Sequence, residues 1–465
     1  MSGFRQQKGK DTAGTAHQIR WLVLAVSLLP LFFLTVLRPL SLSRGQCVTI
    51  GILCAVVIWW ATGAVPQVAA SLILLAGFVL FSGASPATVF FFPLSENFAL
   101  IAVSFLFSQG IVNSHLSQKI LKPLLARTAS TPARLLLTMI GCSFIVALFV
   151  PQSISRTFIV TALFSDYLDA CGTASAERKV WMLGLFSTGF LVGQLFPRGD
   201  IVLNYSLMTV SGLVFSDGQW VIYLALPTVC LLLVISAVFL WLFRRELQAY
   251  CPSCGMVQER VSLTRRDLWS LILIVTVGVL WSTEDIHGIE GLYILCAGTL
   301  LMFPLGLLRL KDLKAVNLPV LVYLTAAFSI GKVIVATGLS QQLFGNIGAM
   351  FPSVFSWKYA LLLIIAAMGI HMVLGSNVSA LAAGLPILSA ASAGTAPEVV
   401  ACLLAYLAIS QQFLLPFHHV TLAAGVGRGD LAVKDVLRLG AVMTPIVLIS
   451  GVLLYLNWWK LLGLW

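Results

Sequence analysis

Long apolar runs alternate with short polar links from one end of the chain to the other. Runs such as WLVLAVSLLPLFFLTVL (Trp21 to Leu37) and WVIYLALPTVCLLLVISAVFLWLF (Trp220 to Phe243) are long enough to cross a bilayer as helices. The pattern predicts spans near 21–38, 46–60, 66–82 and 97–113, an amphipathic stretch 114–127, and two apolar halves, 134–149 and 157–170, around the polar string VPQSISR (Val150 to Arg156). An interrupted pair follows at 180–196 and 201–214, then a span 219–243 and a polar loop 244–266. The second half reads alike, with spans 268–282, 291–310 and 317–337, an amphipathic stretch 338–350, halves 358–375 and 380–392, an interrupted pair 398–415 and 420–427, and a last span 437–458.

The likeness of the halves extends to residues. Phe107-Ser-Gln-Gly answers Phe328-Ser-Ile-Gly, His115-Leu-Ser-Gln answers Gly338-Leu-Ser-Gln, Gln152 to Ser155 answers Ser376 to Ser379, and Pro197 answers Pro416, at offsets of 221, 223, 224 and 219 residues. One leading span plus five crossings starts the two copies on opposite sides of the membrane, so the repeat is expected to be inverted. The expected architecture is an all-α polytopic membrane protein with two re-entrant hairpins, two broken helices and about 11 spans. It divides into a tail 1–20, the first span with repeat 1 at 21–243, a loop 244–266, and repeat 2 at 267–465.

Composition sharpens this reading. With 59% hydrophobic and 10% charged residues and a mean hydropathy of +0.99, the chain is too apolar for a water-soluble domain. A net charge of +11 would suggest nucleic acid in a soluble protein. Here the cations flank spans and set topology, so no nucleic-acid partner is expected. Arg5, Lys8, Lys10 and Arg20 put the N-terminus in the cytoplasm, and Arg244, Arg245, Arg260, Arg265 and Arg266 do the same for the central loop; Arg38 and Arg44 run against the scheme. The expected location is the plasma (inner) membrane. Nine scattered cysteines suggest no disulfide framework, and Cys251 with Cys254 has zinc-knuckle spacing but lacks a second pair.

Polar interruptions inside apolar segments are tolerated where protein or a water-filled cavity satisfies the backbone, and at matching places in two halves they point to a transporter's binding site. Residues 134–170 are expected to form one hairpin with its tip at Pro151 to Ser155, and 358–392 a second with its tip at Gly375 to Ser379. The breaks Phe196-Pro-Arg-Gly-Asp200 and Leu415-Pro-Phe-His-His419 should face those tips, offering helix N-termini to an anion.

These residues resemble a known family. Trp59 to Leu75 (WWATGAVPQVAASLILL), the tips VPQSISR and GSNVSALAAGLPIL, and the late PFHHVTLAAGVGRGDLAVKDVLRLG are similar to the divalent anion:sodium symporters, the INDY-type carboxylate carriers. The resemblance implies a homodimer with a fixed scaffold and a mobile domain that carries a small anion by an elevator motion. It also implies two Ser-Asn-Thr tips that hold sodium and touch substrate carboxylates. Ser376 and Asn377 match the second tip, with Val378 following, which makes that tip the place for a sodium ion; no other cofactor or metal is expected. At the first tip Gln152, Ser153 and Ile154 stand where Ser, Asn and Thr are expected, while Pro151 and Arg156 match; Gly63 stands where glutamate is usual. Ile154 brings no side-chain oxygen to an ion.

Charge at membrane depth is costly and is read as functional. Arg198, in the first break, is the guanidinium expected to supply the positive charge that sodium supplies in the family and to pair with a substrate carboxylate; the competing reading is an internal pair with Asp200. Arg156 lies beside the first tip. The expected substrate-binding set is thus Gln152, Ser153, Ile154, Arg156, Arg198, Ser376, Asn377, Val378, Pro416 and His418. Ser153, Asp200, Asn377, His418 and His419 are expected to serve ion coupling, the histidines as proton carriers or as partners of broken-helix carbonyls. No catalytic residues are assigned. The leading expectation is a secondary carrier of a di- or tricarboxylate by symport or exchange. An inorganic-anion carrier or sodium/proton antiporter, and a membrane-embedded enzyme, are the alternatives.

Overall fold

The structure is a computed structural model that describes residues 21–38, 42–62, 64–116, 119–121, 125, 128–248, 250–251, 263–339 and 351–465. The tail 1–20, Gly63, Cys254, most of 338–350 and parts of 114–127 lie outside the described residues. Helix is the only regular structure among the described residues.

Four helices come first, α1 (Trp21–Leu37), α2 (Arg44–Thr62), α3 (Gln67–Phe81) and α4 (Glu96–Ser114). A helix pair follows, α5 (Pro132–Phe149) and α6 (Ser153–Ala170). Next come α7 (Ser175–Val192) and α8 (Ile201–Ser211), separated by residues 193–200, and α9 (Asp217–Leu242). The second half repeats this order: α10 (Arg265–Ser282), α11 (Gly291–Met302) and α12 (Leu318–Ala336); the pair α13 (Trp357–Leu374) and α14 (Asn377–Ser392); the interrupted α15 (Glu398–Ser410) and α16 (Val420–Gly427); and α17 (Val433–Leu461). Six helices among the described residues are long and apolar enough to cross a membrane, and shorter apolar helices accompany them.

The helix bounds follow the expected ones except where local chemistry decides. The segment expected over 291–310 is helical only to Met302, because Pro304 cannot continue the ladder and Gly306 turns the chain at φ +68°. The two hairpins turn by different means. Thr131 caps α5, with Pro132 in its first turn, and extended Val150 precedes Pro151, which ends the helix. In the second hairpin Gly375, at φ +67°, donates to the His371 carbonyl and closes α13 in the left-handed conformation that glycine adopts freely.

The outer surface is apolar, with Leu80, Leu233, Leu300, Val373 and Leu453 exposed, while Ser104, Thr188, Gln194 and Asn204 are fully buried. That distribution suits a bilayer outside and a polar interior within. α3 packs on α12 and α4 on α11, and each interrupted helix crosses to the hairpin of the other half: α8 lies on α14, and α16 touches α6.

Buried amides hold the interruptions together. Asn204 Nδ2 donates to the carbonyls of Gly193, Phe196 and Pro197 at 2.9, 3.1 and 3.1 Å, and the Tyr406 hydroxyl donates to Asn204 Oδ1. Gln194 Nε2 donates to the Ser410 carbonyl at 3.1 Å, while Gln411 Nε2 reaches Gln194 Oε1 at 2.9 Å and the Tyr455 hydroxyl at 2.8 Å. One break is thereby tied to the other. Gln411→Ala strips Gln194 of a buried donor, and a cost of about 1–3 kcal/mol is expected. Thermal unfolding in detergent should show a lowered midpoint for Gln411→Ala and an unchanged one for the surface substitution Leu233→Ala.

Candidate functional site

Both tips and both breaks open on one buried cavity of about 100 Å³. Its wall takes Gln152, Ser153 and Ile154 from the first tip, Asp200 from the first break, Ser376, Asn377 and Val378 from the second tip, and His419 and Thr421 from the second break. α3, α4 and α12 close the other side with Gln67, Phe105 and Tyr323. Asp200 is the one lining residue with a formal charge at neutral pH.

Four helix N-termini converge here. α6 starts after Gln152, α14 after Ser376 and α16 after His419, and none of these three residues makes a side-chain cap to its helix. Each leaves the positive end of its helix facing the cavity. The fourth is different: Asp200 caps α8 by accepting from the Leu203 N–H, so that end already carries its anion.

In the first half, tip and break are locked by backbone and guanidinium. The Ile201 N–H donates to the Pro151 carbonyl at 3.1 Å, and Arg156 Nη1 donates to the Gly199 carbonyl. Arg156 is only 2% exposed and sits behind the wall, its Nη2 buried without a hydrogen-bond partner; Asp200 (8% exposed) is the nearby opposite charge but makes no direct ion pair with it, and Ser153 is a hydrogen-bond partner of that carboxylate. Gly193 and Gly199 make room for this arrangement, because a side chain on Gly193 would strike the guanidinium and one on Gly199 would strike the Gly193 carbonyl.

In the second half, imidazoles take the corresponding places. His371 Nε2 donates to the His418 carbonyl at 3.2 Å, and Gly199 and His418 are equivalent under the 219-residue offset of Pro197 and Pro416. His418 Nδ1 accepts from the Leu414 and Leu415 N–H groups at 3.0 and 3.3 Å. His419 Nε2 donates to the Ser410 carbonyl at 2.9 Å, and its Nδ1 faces Asn377 Nδ2 at 3.3 Å.

The expected residues therefore divide. Gln152, Ser153, Ile154, Asp200, Ser376, Asn377, Val378 and His419 share the cavity. Arg156 stands one layer behind, Pro416 opens the short turn Pro416–His418, and His418 points into that turn. Arg198 is turned away: its guanidinium pairs with Asp217 and lies over the Trp281 ring, 5.2 Å from the centroid, on the wall side of a separate vestibule of about 590 Å³ that includes Pro197, Asp217 and Trp281. The charge facing Arg156 is Asp200, whereas the partner of Arg198 is Asp217. Sequence reasoning missed Tyr323, whose hydroxyl bonds to Ser379 and lies 3.3 Å from Ser376 Oγ, and Thr421, whose hydroxyl is buried without a side-chain partner. A lone tyrosine in an apolar helix carries no periodic signal. Cys251 is exposed, and no group of three or more His, Cys, Asp or Glu side chains with metal-binding geometry occurs among the described residues.

An apolar chain, all-helical among the described residues, whose interrupted helices present open N-termini to one cavity has the form of a membrane carrier for an anion. Residues 16–465 match the profile of the sodium:sulfate symporter transmembrane region, so the chain belongs to that family, the divalent anion:sodium symporters. No curated protein matches the chain. Membership makes it a multi-pass membrane protein of secondary active anion transport.

Arg156 and Asp200 are buried opposite charges that influence one another without a direct ion pair, so removing one leaves the other less compensated. Arg156→Met and Asp200→Asn are each expected to lower stability, and the double variant to recover part of the loss. Thermal unfolding of the four proteins in one detergent measures this cycle, and additive losses would contradict the mutual influence.

Proposed function

We propose that the protein is a sodium-independent secondary carrier of a small dicarboxylate. The observation that carries this reading is that basic side chains already cap the break carbonyls: Arg156 at Gly199 and His371 at His418. A sodium ion between tip and break needs such oxygens. The remaining side-chain oxygens of the second tip are engaged as well, since Asn377 Oδ1 accepts from the Val378 N–H at 2.9 Å and Ser376 faces Tyr323. The guanidinium that stands for an ion's charge is then Arg156, and Arg198 braces the outer side of the break against Trp281.

Helix N-termini on opposite walls suit an anion with two charged ends. At about 100 Å³ the cavity is smaller than the roughly 150 Å³ that holds a benzene, so a dicarboxylate must extend through its open side and a tricarboxylate further still. Sulfate is the second reading, supported by that small volume and by the family's description.

An elevator motion is proposed with α1 to α4 and α10 to α12 as scaffold and the hairpins, interrupted helices, α9 and α17 as the moving body. The dense amide network lies within the second group, whereas polar ties between the groups are isolated, such as Tyr323 to Ser379, Asn97 to Thr209 and Arg198 to the Gly278 carbonyl. The recurring element order and the crossed packing of α8 and α16 support inverted repeats at 21–243 and 267–465 and an 11-span topology. A homodimer in the plasma membrane with a cytoplasmic N-terminus completes the proposal.

The test is uptake of labelled succinate, citrate and sulfate into proteoliposomes. Succinate exchange without sodium, blocked by excess unlabelled succinate and not by citrate, is expected. Strict sodium dependence would overturn the coupling assignment, and uptake of sulfate that succinate cannot inhibit would replace the substrate.

A further inference from the structure

Three histidines meet at the second break, and their hydrogen bonds assign them different tasks. His418 Nδ1 accepts two backbone N–H groups, so a proton there would break both bonds; this ring holds the turn. His371 donates to the His418 carbonyl and faces the Gln412 amide at 3.0 Å, which makes it a brace between α13 and the break. Of the three, only His419 reaches the cavity.

The bonds around His419 form a chain with one sense. The Val378 N–H donates to Asn377 Oδ1 at 2.9 Å, which orients the amide with Nδ2 toward the imidazole. Asn377 Nδ2 donates to His419 Nδ1 at 3.3 Å, and His419 Nε2–H donates to the Ser410 carbonyl at 2.9 Å. The neutral ring thus uses both nitrogens, and its tautomer is set by a carbonyl that can only accept. Phe190 stacks on the ring, with centroids 4.4 Å apart, and fixes its plane.

We propose that His419 is the proton-binding group of the transport cycle and that Asn377 passes its protonation to the anion site. A proton taken from water onto Nδ1 sets two donors face to face. The Asn377 amide must turn over, presenting Oδ1 to the imidazolium and releasing the Val378 N–H at the open end of α14. Protonation then adds one positive charge and one free N–H to the same cavity wall, and both favour an anion. The proton leaves to water on the other side with the anion, so proton and anion move together. The groups that face His419 are Asp200 and Tyr323 across the cavity, Arg156 behind the first tip, His371 from α13, His418 beside it, and Tyr406 on α15, whose hydroxyl is held by Asn204.

This inference rests on the carrier reading above, so the experiment has an arm with substrate and one without. In proteoliposomes with the membrane potential clamped at zero by valinomycin and equal potassium, inward proton gradients of one pH unit should raise accumulation of labelled succinate or sulfate about tenfold, as one proton per anion requires. In His419→Gln the ratio of accumulation with and without the gradient should fall to one, a readout independent of how far the substitution lowers exchange itself. Exchange in the wild-type protein that ignores the gradient, or gradient-driven accumulation by His419→Gln, overturns the proposal. Without substrate, a Thr421→Cys probe on the cavity wall is alkylated across a pH series in both backgrounds. With His419 present the rate should show a step beyond the titration of the thiol itself, and His419→Gln should remove it. Superimposable profiles overturn the proposal. The step without exchange of any anion would instead sink the carrier reading and leave the proton site standing.

Discussion

A peptide backbone that leaves helical geometry inside an apolar environment must find partners for its N–H and C=O groups, and the rest of this molecule is arranged around that requirement. There are two hairpin tips and two helix interruptions. Asn204 serves three carbonyls of the first interruption, Arg156 a fourth, and His371 its counterpart in the second. Gln194 and Gln411 close the gap between the two interruptions. The carbonyls are thus largely consumed by protein donors, while three helix N-termini stay open to the cavity. This asymmetry between satisfied oxygens and available N–H groups suits the anion proposed for the site.

The same asymmetry bears on coupling. A family that moves anions with sodium needs oxygen cages beside its tips, and here a guanidinium and an imidazole lie where those oxygens would be free. On one side a buried arginine, Arg156, and a buried carboxylate, Asp200, lie close to the first tip without a direct ion pair. On the other side the basic group in the wall is His419, a buried imidazole whose two ring nitrogens are both hydrogen-bonded. The proposed sodium-independent carrier rests on these basic groups at the break carbonyls. The isolated polar ties between the two proposed bodies, against the dense network within one of them, give that carrier a surface along which to slide.

Much of this was legible in the chain. Apolar runs, Pro151, Gly375, Pro197 and Pro416 located both hairpins and both interruptions, because bilayer thickness and the inability of proline to continue a helix are local constraints. The tips that line the cavity were identifiable for the same reason, and so were Asp200 and His419, polar groups at the ends of interrupted segments. Which arginine serves the tip was not legible. Arg156 and Arg198 both sit beside an interruption, and their roles depend on the direction each side chain takes: Arg198 toward Asp217 and Trp281, Arg156 toward Gly199 and Asp200.

His418 and His419 differ by one position, yet one ring faces a turn and the other faces substrate space, a distinction made by the φ and ψ of the break. Tyr323, more than fifty residues before the serines it meets, and Gln194 with Gln411, more than two hundred apart, are brought together only when the two halves cross. The sequence by itself determined the class of protein, the order of its helices and the positions of its interruptions, since these depend on hydrophobicity and on residues that stop helices. Tertiary structure alone decided which buried donors meet which carbonyls, because hydrogen bonds are directional and their partners come from different halves of the chain.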